Sequence, residues 1–207
     1  REVEESDVAR VIEQAKAVNI PLDRQIIHTV PLEYIIDGQG QIVNRHRKVM
    51  PTNPERMIWG FGDGSGLRVI DTPVGRVGSL ICWENFMPLA RMSLYAQGID
   101  LVCSPTWDSS EGWRGTMQHI AREGRCYVAN CCTSMRASDV PADFPSRAQL
   151  FPDDDEVINS GNSCIVEPGG NVIAGQRAGE NTILYADIDP KKVASSRRSL
   201  DIAGHYN

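Results

Sequence analysis

The chain has no surplus of basic residues. Its formal net charge is −6 over 207 residues, which argues against the basic face that nucleic-acid binding needs. It has no run of about 18 apolar residues, so no membrane-spanning helix is expected. No signal-peptide pattern opens it. It has six cysteines, Cys82, Cys103, Cys126, Cys131, Cys132 and Cys164, but no Cys-x-x-Cys pair. In a chain of this size that spacing excludes a disulfide scaffold, and the thiols read as free in a reducing cytoplasm. Cys131 and Cys132 are not a redox pair on this reading, because neighbours on a strand point to opposite faces. No internal repeat and no low-complexity tract occurs. The glycine-rich run Gly60-Phe61-Gly62-Asp63-Gly64-Ser65-Gly66 lacks the Gly-Lys-Ser/Thr ending of a phosphate-cradling loop and reads as a turn. His119 and Glu123 have no His-Glu-x-x-His context and no third ligand, so no metal is expected and the two form a structural pair behind a sheet.

What remains is an ordinary globular composition, 41% hydrophobic and 23% charged, sufficient for one domain with a sizeable core over residues 1–207. Residues 2–18 repeat apolar side chains at spacings of three and four, as a helix packed on a sheet would. Strand pieces follow at 26–27 and 34–36, interrupted by Pro21 and Pro31. Asp37-Gly38-Gln39-Gly40 is a turn, a strand restarts over 41–44, and Lys48 falls in the loop after it. The glycine run leads into a strand over 67–71.

The organising stretch is Arg76 to Pro88. An apolar run ends at Cys82, a tight turn follows, and Pro88 takes the first position of a helix over 89–97 that Gly98 stops. Cys82 therefore stands at the end of a buried strand, exposed yet held on both sides by rigid elements. A thiol needs a nearby cation or a helix N-terminus to ionise near neutral pH. The coming helix and the basic cluster Arg45-His46-Arg47-Lys48 are the candidates.

Downstream, residues 99–104 form a strand and Ser109 or Ser110 caps a helix reaching Glu123. Trp113, Thr116, Met117, Ile120, Ala121 and Gly124 make its apolar stripe. Residues 126–132 are the next strand. Residues 134–160 form a long polar loop with the acid run Asp153-Asp154-Asp155-Glu156, a solvated face. A hairpin spans 162–175, a strand 182–187, and a short basic helix opens at Asp189-Pro190. This order suits a sheet covered by helices on one face.

His46-Arg47-Lys48-Val49-Met50-Pro51-Thr52, then Glu55-Arg56, Gly60 to Ser65, Ile81-Cys82-Trp83-Glu84-Asn85 and Ser104-Pro105-Thr106 resemble, in order, the nitrilase branch of the carbon–nitrogen hydrolase superfamily. The resemblance runs over roughly residues 36–206. It implies an α-β-β-α sandwich and a Cys-Glu-Lys triad with no cofactor. Cys82 would be the nucleophile and Lys48 the catalytic ammonium, with Glu55 as a supporting glutamate. Trp83, Glu84, Thr106 and Trp107 would surround the oxyanion and substrate, with Trp59 a further aromatic neighbour. The reaction implied is hydrolysis of a nitrile to a carboxylic acid and ammonia. Cyanide hydration or dihydration and amide hydrolysis are the variants within the superfamily.

The resemblance also places the general-base glutamate far upstream of the lysine, at the end of an early strand. Glu2, Glu4, Glu5 and Glu13 do not sit in that context, and residues 20–36 depart from the pattern, with His28-Thr29 where an aromatic–asparagine motif belongs. The chain is thus expected to lack the base, to be short of an N-terminal part and to be incomplete at both ends. Residues 134–160 are assigned by resemblance to contacts between subunits in dimers that extend into spirals. Two other readings stay open. One is a Cys-His thiol hydrolase with His119 or His205 as base. The other is an inactive structural subunit of an assembly.

Overall fold

The computed structural model describes residues 25–29, 32–57, 59–176 and 178–206. The helix expected over 2–18, with its four glutamates, lies outside the described residues. The chain divides into two compact units, Arg1–Ile99 and Asp100–Asn207.

In the first unit, β1 (Gln25–Thr29), β2 (Leu32–Ile36) and β3 (Ile42–Arg47) form an antiparallel sheet in that order. The β2–β3 turn is fixed by the Asp37 carboxylate, which accepts from the N–H groups of Gln39 and Gln41 at 2.9 and 2.8 Å. Such self-bonding is what suits Asp to turns. β3 runs on to Arg47 instead of ending at residue 44. A strand alternates its faces, so the basic cluster is split. Asn44, His46 and Lys48 are buried while Arg45 and Arg47 face solvent. β4 (Ile70–Thr72) and β5 (Gly75–Ser79) make an antiparallel hairpin. β4 starts three residues later than the sequence pattern suggests. The N–H groups of Leu67 and Arg68 are committed to turn bonds with the Gly64 and Gly66 carbonyls, at 3.0 and 2.8 Å. After the Cys82 turn, α1 (Pro88–Ala96) begins on its proline and stops at Gly98, which has φ +76° and donates its N–H to the Tyr95 carbonyl.

In the second unit, β6 (Leu101–Thr106) and β7 (Tyr127–Cys132) are parallel, joined by α2 (Glu111–Gly124). The Ser110 hydroxyl accepts from the Trp113 N–H at 3.1 Å, capping α2 as expected. Trp113, Met117, Ile120 and Ala121 are fully buried, each contributing roughly 1.5–3 kcal/mol for the larger side chains. β10 (Cys164–Val166) pairs antiparallel with β7 and with β11 (Val172–Gly175).

Residues 134–160 are more ordered than a long polar loop. β8 (Ser134–Arg136) pairs with β9 (Val157–Ser160), and a single helical turn, α3 (Arg147–Leu150), lies between them. Arg147 ties the segment together, donating to the carbonyls of Ala137 and Phe151 at 2.8 Å and to Asp154 at 2.5 Å. The strand expected over 182–187 is absent from the described residues: that stretch has no regular secondary structure. The apolar run Ile183 to Ala186 suits a strand, but a strand also needs a neighbouring edge to pair with. α4 (Pro190–Arg197) opens on a cap from Asp189, whose carboxylate accepts from the Lys191 N–H at 2.9 Å.

Candidate active site

Cys82 has φ +52°, a left-handed backbone that costs a non-glycine residue about 1–3 kcal/mol and persists only where its surroundings enforce it. Here they do. The Asn85 side-chain amide donates across the turn to the carbonyls of Leu80 and Cys82, at 2.8 and 2.9 Å. The Glu84 N–H donates to the Ile81 carbonyl at 3.1 Å. Arg91, from α1, donates to the Asn85 carbonyl at 2.8 Å. The result is a sharp elbow between β5 and the 3-10 turn Cys82–Phe86. Cys82 is half-buried, and burial pushes the thiols of Cys126 and Cys164 up to about 12 and about 11. Those two are protonated, unreactive core residues. Trp83 is 51% exposed and packs edge-on against Phe86 at 5.9 Å.

Lys48 is the reverse of a solvated surface lysine. It is 1% exposed. Its Nζ donates to Thr52 Oγ1 at 2.7 Å and to Glu55 Oε2 at 2.8 Å. The Thr52 N–H donates to the same Glu55 oxygen at 2.5 Å. A buried ammonium is tolerable only when paired and hydrogen-bonded, and Glu55 supplies the pairing. It does so from the 3-10 turn Asn53–Met57. The partner of Glu55 is thus Lys48 rather than Arg56 or Arg47.

The glycine-rich run has a mechanical role. The Gly62 N–H donates to the Lys48 carbonyl at 2.9 Å, and a Cβ on Gly62 would collide with the Arg47 carbonyl. A Cβ on Gly66 would lie 2.5 Å from the His46 Cα, and the Gly66 carbonyl accepts from the Asn44 amide at 3.1 Å. The missing side chains let this loop lie backbone to backbone on the end of β3.

Glu84, expected among the residues around the oxyanion and substrate, is 1% exposed and hydrogen-bonded through both carboxylate oxygens. Oε1 accepts from the Val49 N–H at 2.7 Å. Oε2 accepts from the Ile81 N–H at 2.9 Å and pairs with His46 Nε2 at 2.8 Å.

One further buried group was not singled out by sequence. Glu33 on β2 is fully buried and accepts from the Ser79 hydroxyl on β5. Burial pushes its carboxyl up to about 8; the Ser79 bond opposes this, and the charge on Glu84 adds to it. Glu33 stands directly opposite His46 in the β2–β3 register. The only hint in the sequence is one acid inside the apolar run Leu32-Glu33-Tyr34-Ile35-Ile36. A cavity of about 620 Å³, lined by Ile36, Asp37, Val43, Ile70 and Pro73 among others, opens elsewhere in this unit. None of the expected site residues lines it.

Thr106 and Trp107 belong to the second unit. Thr106 is buried, and its hydroxyl accepts from the Asp108 N–H at 3.0 Å. Trp107 is 52% exposed, while its carbonyl accepts from the Asn159 amide at 2.5 Å. Asn162 donates to the Ser109 carbonyl at 3.0 Å. These two asparagines from the chain around β9 hold the loop after β6. His119 is a surface residue paired with Glu123 at 3.6 Å, not a group behind the sheet. His205 is exposed and its ring lies against Tyr206. Trp59 is half-buried. Among the described residues no group of three His, Cys, Asp or Glu side chains could hold a metal ion.

Residues 33–198 match the family described as carbon-nitrogen hydrolase. Residues 1–44 match a second family, the SHS2 domain inserted in FTSA. The departure of residues 20–36 from the nitrilase pattern falls within that second match. A nitrilase of Bradyrhizobium diazoefficiens is 47% identical over 171 residues, covering 83% of this chain and 53% of that protein. An aliphatic nitrilase of Sinorhizobium fredii is 42% identical over 187 residues, covering 90% of this chain and 59% of that protein. The chain therefore spans a little over half the length of these relatives. Nit3 of Saccharomyces cerevisiae, a member of branch 10 of the nitrilase superfamily, matches with a TM-score of 0.64 at 23% identity. That match covers 85% of this chain and 59% of that one, and shows the expected nitrilase-type α/β fold. With a family match across 33–198 that takes in the Cys82 elbow and the Lys48–Glu55 pair, this chain belongs to the carbon-nitrogen hydrolase family.

Proposed function

We propose that this chain carries the nucleophile and ammonium of a nitrilase, which converts a nitrile and two waters into a carboxylic acid and ammonia. The Cys82 sulfur attacks the nitrile carbon, a C–S bond forms, and one C–N π pair moves to nitrogen, which takes a proton to give a thioimidate. Lys48 and the Trp83 N–H stabilise the charge that grows on that nitrogen; one such donor is typically worth on the order of 10²–10³ in rate. Water adds to the thioimidate carbon, ammonia leaves, and a thioester remains. A second water releases the acid and restores the thiol. Cyanide and amides are alternative substrates within the same chemistry.

One observation carries this reading. Lys48 is a fully buried ammonium paired with Glu55, and the next residue, Val49, is hydrogen-bonded to Glu84 of the Cys82 turn. Burying a charge next to a backbone N–H that is tied to the strained cysteine turn is costly for stability and useful for catalysis. The nitrilases named above support nitriles as the substrate class.

Covalent capture of a nitrile at Cys82 without turnover is the alternative outcome. Ammonia release from a panel of aliphatic and aromatic nitriles and cyanide, with intact-mass analysis of Cys82, separates the two. Ammonia release that Cys82→Ala abolishes supports the nitrilase. A Cys82 adduct without ammonia supports capture. Folded protein giving neither removes both. The same reading assigns residues 134–160 to self-association, supported by exposed Phe144 and Leu150. A sedimentation profile of monomer alone would remove that assignment. Six free thiols support a reducing, cytoplasmic setting.

A further inference from the structure

One carboxylate joins the two halves of the proposed site. Glu84 Oε2 accepts the Ile81 N–H, one residue before Cys82, and Glu84 Oε1 accepts the Val49 N–H, one residue after Lys48. The bonds are 2.9 and 2.7 Å, so the nucleophile's turn and the ammonium's strand end are held within the span of a single side chain. We propose that Glu84 is a positioning residue that sets the reactivity of Cys82 by fixing the elbow and the Lys48–Val49 strand end together, with His46 as its support.

The donor count explains why a glutamate stands here. Two backbone N–H groups and the His46 ring converge on two oxygens, and a carboxylate offers an acceptor lone pair to each of the two N–H groups at once. A glutamine at position 84 has one oxygen and one NH₂. Whichever way it turned, the NH₂ would face a backbone N–H, either that of Val49 or that of Ile81. One side of the clamp would open while size and packing stayed nearly constant. The elbow makes this matter. Cys82 holds a left-handed backbone at φ +52° only because its neighbours insist on it, and freeing the Ile81 N–H removes one of those constraints.

This inference rests on the reading of Cys82 as nucleophile, and its test keeps the two apart. The measurement is the rate at which iodoacetamide alkylates each cysteine in the folded 207-residue protein, followed by peptide mass spectrometry. Exposed Cys131 in the second unit is the internal reference; partial desolvation holds its thiol above the usual range, which makes it slow. Wild type is expected to react at Cys82 about tenfold faster than at Cys131. Glu84→Gln is expected to lower the Cys82 rate about tenfold, the size of one lost buried hydrogen bond, with Cys131 unchanged. His46→Ala, which removes the support and leaves both backbone bonds, is expected to lower it severalfold. It also serves as the second variant if Glu84→Gln does not fold. Restoring the acid one methylene shorter, Glu84→Asp, should recover part of the rate; a purely structural defect would not track acceptor chemistry in this way. An unchanged Cys82-to-Cys131 ratio in folded Glu84→Gln and in His46→Ala would overturn the inference. If wild-type Cys82 is no faster than Cys131, the nucleophile reading itself fails and the inference goes with it.

Discussion

The two units solve the problem of buried polarity differently. In the first, the buried polar groups include Glu33, His46, Lys48, Glu84 and Arg91. Among the described residues of the second, they are Ser104, Thr106, Asn130, Asn159, Asn162 and Gln176, with no charged residue among them. The ion pairs of the second unit, Arg147 with Asp154, Lys192 with Glu167 and His119 with Glu123, each keep at least one partner well exposed. Buried amides and hydroxyls need only hydrogen bonds to be tolerated, whereas buried charges need partners as well. Among the described residues, only the first unit accepts the second cost. In the other unit polar side chains serve to hold loops, as Asn159 holds the Trp107 carbonyl.

That contrast can be broken most severely at Glu33. Its carboxyl is raised from 4.5 to about 8 by burial. The unfolded chain loses this proton near 4.5 and the folded chain keeps it to about 8, so Glu33's contribution to stability is greatest below 4.5. It falls as pH rises through the window, by about 1.4 kcal/mol per pH unit and several kcal/mol in all. Glu33→Gln should flatten that slope. Urea denaturation at a series of pH values reads it, and a wild-type slope matching that of the variant would show that Glu33 is not held neutral.

Next in size is Glu55→Ala, which leaves the Lys48 ammonium buried without its charge partner. The expected loss is about 3 kcal/mol, the typical cost of breaking a buried pair from one side. Lys48→Met should cost less, because the Glu55 side chain is 20% exposed and can turn to water. Equal losses in urea denaturation would mean that burial of Lys48 is not what the pair sustains. The smallest effect is expected in the second unit. Asn159→Ala removes a neutral clamp and should cost about 1–2 kcal/mol, measured as a shift in the denaturation midpoint. A loss as large as that of Glu55→Ala would erase the distinction between the units.

Much of the local architecture was legible in the chain. Pro88 and Gly98 bound α1, Ser110 and Asp189 cap their helices, and the Trp113 stripe is the buried face of α2. Each is decided by neighbours within a turn or two, through backbone groups that must be satisfied and a period that must match. The position of Cys82 between strand and helix is of the same kind. Other features were not legible. The basic cluster at 45–48 reads as one patch, but β3 extends far enough to send its members to opposite faces. The stretch 182–187 carries a strand-like apolar run yet has no regular secondary structure. Residues 134–160 look like a loop because the pairing of β8 with β9 and the reach of Arg147 link positions distant in sequence.

The sequence by itself determined the family, the turn that holds Cys82 at the end of its strand, and the residue types at positions 48, 55 and 82. Only the tertiary structure decided which ionisable groups lie inside: that Lys48 is sealed against Glu55, that burial raises the Glu33 carboxyl, and that Glu84 is hydrogen-bonded through both oxygens. The reason is physical. A helix cap or a strand period is set by bonds between near neighbours. The cost of a buried charge depends on every group that displaces water around it, and those groups come from β2, β3, β5 and the glycine-rich loop at once.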